Sequence, residues 1–223
     1  MEIFKPSISE KHGINLIKES DRNILSIGIS TAGSAEIEMA RKNPNSHIIA
    51  TTIDTKGLEF TKKIIMQEKL EDRIELKIED ISQKLPYTDN YFDFVYARLV
   101  LHYLNNMQLE NALSEIYRVM KENGRFFIAV RSIEEWEAKL EGTTFDEKTG
   151  FTKYPDMKTL GTNNVKYIYR RLHSKTSIEQ FLVRAGFEID YIREYEEYLY
   201  RDYERVNINP KPNKIIEVCA KKI

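Results

Sequence analysis

Two periodicities alternate along this chain. Short apolar runs, the mark of buried strands, are separated by stretches in which apolar residues recur every three or four positions, the mark of helices with one buried face. Residues 85–132 show this most clearly. Residues 92–96 (FDFVY) predict a strand. Leu109, Ala112, Leu113, Ile116, Val119 and Met120 then lie on one helical face. Glu122-Asn123-Gly124 ends that helix, with glycine expected in the left-handed conformation of a helix terminus. Residues 125–130 (RFFIAV) follow as a nearly all-apolar strand, as required where both sheet faces are covered.

The same alternation extends to both sides. Residues 7–18 predict a first helix, with Ile8, Ile14 and Ile17 on one face and Gly13 interrupting. Strands are predicted at 24–28 (ILSIG), 47–52 (HIIATT) and 74–78, where Ile74, Leu76 and Ile78 alternate. Helices fall between them, one from near Ser34, whose hydroxyl can cap free N–H groups, and one over 57–69. A last helix over 177–185 and strands at 187–192 and 215–220 close the chain. Strict strand–helix alternation predicts an α/β domain, a parallel sheet with helices on both faces. Residues 134–174 break the pattern; rich in Gly, Thr, Lys, Asp and Tyr, they predict an insertion, a lid over the sheet edge within a single domain spanning 1–223.

Composition narrows the function classes. Lys plus Arg is 34 and Asp plus Glu is 35, so no global basic field draws the chain to nucleic acid, which is not the expected partner. The single cysteine, Cys219, excludes an internal disulfide and reads as a small buried hydrophobe. No run approaches the roughly 20 apolar residues needed to span a bilayer, and the N-terminus lacks a signal-peptide core. A cytoplasmic location is therefore expected. No spacing predicts a metal site.

In doubly wound sheets, ligands bind beyond the C-terminal strand ends. The first strand runs into Ser26-Ile27-Gly28-Ile29-Ser30-Thr31-Ala32-Gly33-Ser34, small residues that suit either a bound nucleotide or tight strand–helix packing. The string over 85–132, with the ordered strands around it, resembles the class I methyltransferases that use S-adenosylmethionine (SAM). It is closest to their small-molecule branch, which includes the ubiquinone/menaquinone-type enzymes. The resemblance implies a Rossmann-like sheet of seven mostly parallel strands with the last antiparallel, SAM as cofactor and S-adenosylhomocysteine (SAH) as product.

Carried onto this sequence, the family's D-x-G-x-G-x-G loop keeps only Gly28. Ser26 stands at the acid, and Ser30 and Ala32, flanking Thr31, stand at the later glycines. Glu36 or Glu38 either compensates for the lost acid or is a plain exposed acid of the first helical turn. The ribose contact falls to Thr52 or to Asp54, with Ile53 between them. Asp80 would accept from the adenine amine and Ile81 would pack on its ring, while Ala97 and Arg98 would line the cofactor. His102 is either a base for the acceptor or a hydrogen-bonded packing histidine. Arg170 and Arg171, within 167–173, suit an anionic aromatic acceptor, although that stretch also reads as an edge strand, and Tyr154 either walls a hydrophobic pocket for the substrate or joins a satellite core. The expected activity is methyl transfer to oxygen or nitrogen of a small molecule, by a chain that could pair as a homodimer. The alternative is a methyltransferase-like module that binds or regulates without catalysing.

Overall fold

The structure, a computed structural model, describes residues 6–29, 31–200 and 208–223. Seven strands form its central sheet: β1 (Asn23–Ile27), β2 (His47–Thr52), β3 (Ile74–Ile78), β4 (Phe92–Arg98), β5 (Met120–Arg131) and, after an insertion, β9 (Phe187–Glu197) and β10 (Asn213–Lys222). Their order is β3-β2-β1-β4-β5-β10-β9. The first five pair in parallel, and β10 runs antiparallel to both neighbours. This is the predicted Rossmann-like sheet with its last strand reversed.

The five helices are α1 (Ile8–Asn15), α2 (Ser34–Lys42), α3 (Thr55–Gln67), α4 (Asn106–Val119) and α5 (Lys175–Arg184). They cover two faces because strand side chains alternate. Along β4, Val95 and Ala97 enter the core with Leu109, Leu113 and Ile116 of α4 and Ile178 and Leu182 of α5. Phe94 and Tyr96 enter the opposite core with Ile14 of α1, Met39 of α2 and Ile65 of α3. Two covered faces are why β5 carries an unbroken apolar run.

Some predicted boundaries shift for identifiable reasons. Helix α3 starts at Thr55 rather than 57, because Asp54 caps it, its Oδ1 accepting from the Lys56 amide at 3.0 Å. Ser34 is the first residue of α2 and not its cap; Gly33 holds the cap position, left-handed, with no side-chain cap bond. After α4 the left-handed residue is Asn123 (φ 62°), not Gly124. Gly124 answers to space instead, since an added Cβ would lie 2.7 Å from the Lys121 carbonyl.

The insertion folds into an antiparallel three-stranded sheet of β6 (Thr144–Asp146), β7 (Phe151–Pro155) and β8 (Tyr167–Arg170). Its base is tied shut where Ile133 N donates to His173 O at 2.8 Å and His173 N to Arg131 O at 2.9 Å. No helix among the described residues is long and apolar enough to cross a membrane.

Candidate active site at the C-terminal strand ends

The chain connections reverse direction between β1 and β4, which opens a crevice where ligands bind in such sheets. Here the crevice is a cavity of about 580 Å³, within the range of small-molecule sites. Its wall runs from the ends of β2 and β3 (Thr52, Ile53, Glu79, Asp80, Ile81) past Gly28 and Ile29 after β1. It continues to Arg98, Leu99, Val100, His102 and Tyr103 after β4, then to Arg131 of β5 and Arg170 of β8.

At the β2–β3 end, Asp80 closes a turn, Oδ1 accepting from the Ser82 amide at 2.9 Å. Neighbouring Glu79 accepts from the Tyr87 hydroxyl at 2.8 Å. Ile53 is 74% exposed at the cavity rim, an apolar side chain held in the open where a ligand would cover it. Of the two ribose candidates, Thr52 is in the wall, its Oγ1 accepting from the Asp54 amide at 3.0 Å. The Asp54 carboxylate is turned to the α3 terminus, and Asp54 is absent from the wall.

In the loop after β1, Gly28 takes φ +74°, and an added Cβ would sit 2.9 Å from Val100. Its lack of a side chain thus serves backbone and loop packing first. Ser30 lies outside the described residues, and Thr31 opens a 3-10 turn, Thr31–Gly33, in which Ala32 is left-handed. Ser26 is not in the wall; its Oγ donates to Glu36 Oε1 at 2.6 Å, with both residues wholly buried. Glu36 is therefore not the exposed first-turn acid that its sequence position allowed. Glu38 is: it bonds Arg41 at the surface. Ala97 is buried in the core beside Arg98 and does not reach the cavity.

The β4–β5 end holds three arginines with different commitments. Arg98 is in the wall, but Nε donates to Ser9 Oγ at 2.5 Å and Nη2 to Ser7 Oγ at 2.7 Å and Glu197 Oε1 at 2.6 Å. It ties α1 to β9, and its neighbouring carboxylates hold its charge in place against burial. Arg131 bonds Glu135 and Glu137. Arg170 pairs with no carboxylate among the described residues, and its guanidinium carbon lies 4.3 Å from the Tyr103 ring centroid.

His102 sits between them, 3% exposed and in the wall, with Nδ1 lacking a hydrogen-bond partner. Burial, then the Arg170 and Arg131 charges, pushes its pKa well below 6.5, so the imidazole is neutral. Tyr96 adds a buried hydroxyl with no partner at the cavity wall.

Arg171 and Tyr154 do not line the cavity. Arg171 is buried and donates to Leu104 O at 3.1 Å, Asn106 Oδ1 at 2.7 Å and Thr149 O at 2.9 Å, which staples the insertion to the segment after β4. Tyr154, in β7, is buried. Cys219 is buried, and that burial pushes its thiol up to about 12, so it is no nucleophile.

Comparison with known proteins follows this geometry. Residues 25–128 match the family described as "Methyltransferase domain". Residues 25–128 thus carry a methyltransferase domain, on a fold shared with SAM-dependent methyltransferases. Over 104 residues it is 30% identical to a demethylmenaquinone methyltransferase of Symbiobacterium thermophilum, covering 47% of this chain and 40% of that one. Over 97 residues it is 34% identical to a ubiquinone/menaquinone biosynthesis C-methyltransferase of Bradyrhizobium sp., covering 42% and 36%. The chain thus spans about two fifths of the length of these relatives. The fold extends further than the sequence match: a SAM-dependent methyltransferase from Methanosarcina mazei superposes with a TM-score of 0.69 at 20% identity, over 94% of this chain and 95% of that one.

SAM is the cofactor of such a domain, and the residues of this cavity fit it. The cavity has an apolar rim at Ile53 and Ile81, an acid at Asp80, and an orphaned buried phenol at Tyr96. Sequence reasoning missed Glu79, Tyr96, Val100, Tyr103 and Arg131 in the wall. Arg131 ends β5 at the C-terminal edge, so the strand-end rule contained its signal; Tyr96 lies two residues inside β4, where that rule gives none.

Proposed function

We propose that this chain transfers the methyl group of SAM to an oxygen or nitrogen atom of a small-molecule acceptor. The observation that carries the reading is the continuity of the cavity: one chamber runs from Asp80, where a nucleoside edge would be met, to His102 and Arg170, where an acceptor would lie. When bound, SAM supplies a methyl group activated by a positive sulfonium. The chain's own part is positioning and exclusion of water, which in-line transfer chiefly needs.

In this reading Thr52 meets the ribose, Asp80 accepts from the adenine amine, and Ile53 and Ile81 enclose the ring. The β1 loop around Gly28 backs the central part of the cofactor. His102, neutral, accepts a hydrogen bond from the acceptor's O–H or N–H and orients its lone pair toward the methyl group; its depressed basicity makes it a better orienter than proton sink. The insertion, pinned by Arg171, acts as the lid.

The non-catalytic alternative draws on the lost acid at Ser26. The Glu36 carboxylate buried against that serine answers it, because it restores an acid beneath the loop from the neighbouring helix. The test is incubation with methyl-labelled SAM and a set of small phenols and amines, with NMR locating the label. Label on oxygen or nitrogen is expected; label on carbon, or none on any small molecule, would contradict the reading.

A further inference from the structure

We propose that the acceptor is an anion, a carboxylate- or phosphate-bearing aromatic molecule whose charged group is held by Arg170 on the Tyr103 face. This inference rests on the methyltransferase reading above and deepens it.

Charge is segregated along the cavity. Its acids, Glu79 and Asp80, follow β3, while Arg98, Arg131 and Arg170 gather toward β4, β5 and the insertion. Three strand spacings separate β3 from β4 in the sheet order, roughly 14 Å at the usual interstrand distance. At that distance the β3 acids form no ion pair with the far end, since such a contact needs about 4 Å. Two of the three arginines have their own carboxylates, Glu197 for Arg98 and Glu135 and Glu137 for Arg131. Arg170 has none among the described residues, yet it is half-buried in the cavity wall.

A guanidinium left without a counter-ion in a partly enclosed site binds planar oxyanions through paired N–H donors. A cation–π contact with Tyr103, 4.3 Å from guanidinium carbon to ring centroid, holds this charge at the cavity wall. The exposed Tyr103 ring also offers an aromatic acceptor a face to pack on. The neutral His102 ring, 4.4 Å from Tyr103 between centroids, then lies within reach of a polar substituent on the same acceptor. The anion is thus the handle, and another substituent is the methylated group.

Calorimetry on SAH-saturated protein tests this with three probes: 4-hydroxybenzoate, phenyl phosphate and neutral 4-hydroxybenzamide. At least one anion is expected to bind about tenfold or more tighter than the amide, and which anion does so identifies the class. Arg170→Gln should erase that preference while SAH affinity stays unchanged; Arg170→Lys should keep part of it, charge without the planar fork. Equal binding of amide and anions, no binding of any probe with SAH bound, or an undiminished preference in Arg170→Gln would overturn the proposal. Loss of SAH affinity in Arg170→Gln would also overturn it, by assigning this arginine to the cofactor's carboxylate. Failure of wild-type protein to bind SAH is a separate result that removes the methyltransferase reading itself.

Discussion

The two ends of the cavity are built on different principles. At the β2–β3 end, each wall residue follows directly from a strand terminus, and the bonds holding it are local: Asp80 to Ser82, Thr52 to Asp54, Asp54 to Lys56. At the β4–β5 end the wall is assembled over long separations. Arg98 reaches Glu197 across 99 positions, and Arg171 reaches Leu104 and Asn106 across 67 and 65. The local end suits a ligand common to a whole family, and the assembled end suits one particular to this chain. Adjacent Arg170 and Arg171 make the same point at the smallest scale: Arg170, the last residue of β8, lines the cavity, while Arg171, just beyond it, is locked in contacts to Leu104, Asn106 and Thr149.

The largest expected effect lies where the two ends meet. Gly28→Arg forces a left-handed side chain into Val100 and should weaken SAH binding by more than about a hundredfold in a sample that circular dichroism shows to be folded. Retained affinity would detach the β1 loop from the cofactor.

Next, Arg171→Ala should cost about 3 kcal/mol in urea unfolding, because it takes the donor from the Leu104 carbonyl and from Asn106 Oδ1 and removes a packed side chain. SAH affinity should hardly change, which separates the staple from the nucleoside end; a cost below about 1 kcal/mol would mean that the insertion is not pinned there.

Acid sensitivity also belongs to the assembled end. His102 and His173 are buried, and burial pushes His173 down to about 3 and His102 well below 6.5. The unfolded chain takes up these protons near pH 6.5 while the folded one does not. Stability from each is therefore complete above pH 6.5 and is lost as pH falls, by about 1.4 kcal/mol per unit, until the folded pKa is reached. Urea midpoints from pH 7.5 to 5 should fall accordingly, and less steeply in His173→Gln.

The smallest effect separates neighbours at the nucleoside end. Thr52→Ala should weaken SAH binding several-fold more than Asp54→Ala, whose main consequence should be the loss of a helix cap, about 1 kcal/mol of stability. The reverse order would mean that Asp54 leaves the cap to meet the ribose.

The difference between the two ends also explains what the sequence made legible. Periodicity locates the seven strands, and the family resemblance places Gly28, Thr52, Ile53, Asp80, Ile81, Arg98 and His102 near their C-terminal ends, where all line the cavity. The wall residues brought by the insertion and by the segment between β9 and β10 obey no short period; only folding sets them beside β4. Tyr154 reads as a pocket aromatic from the sequence, yet it is buried in β7 and outside the cavity wall. Glu36 looked exposed because first-turn acids usually are, and only its 2.6 Å bond to Ser26 shows the acid turned inward beneath the loop.

In the proposed function this altered loop, with Ser26 and Glu36 in place of a strand-end acid, still serves a SAM site. Calorimetric titration of the wild-type protein with SAM and with SAH tests it most directly. Micromolar binding of both, at one site per chain, is the predicted result. No binding of either to folded protein would contradict it and leave the chain as a methyltransferase-like module without its cofactor.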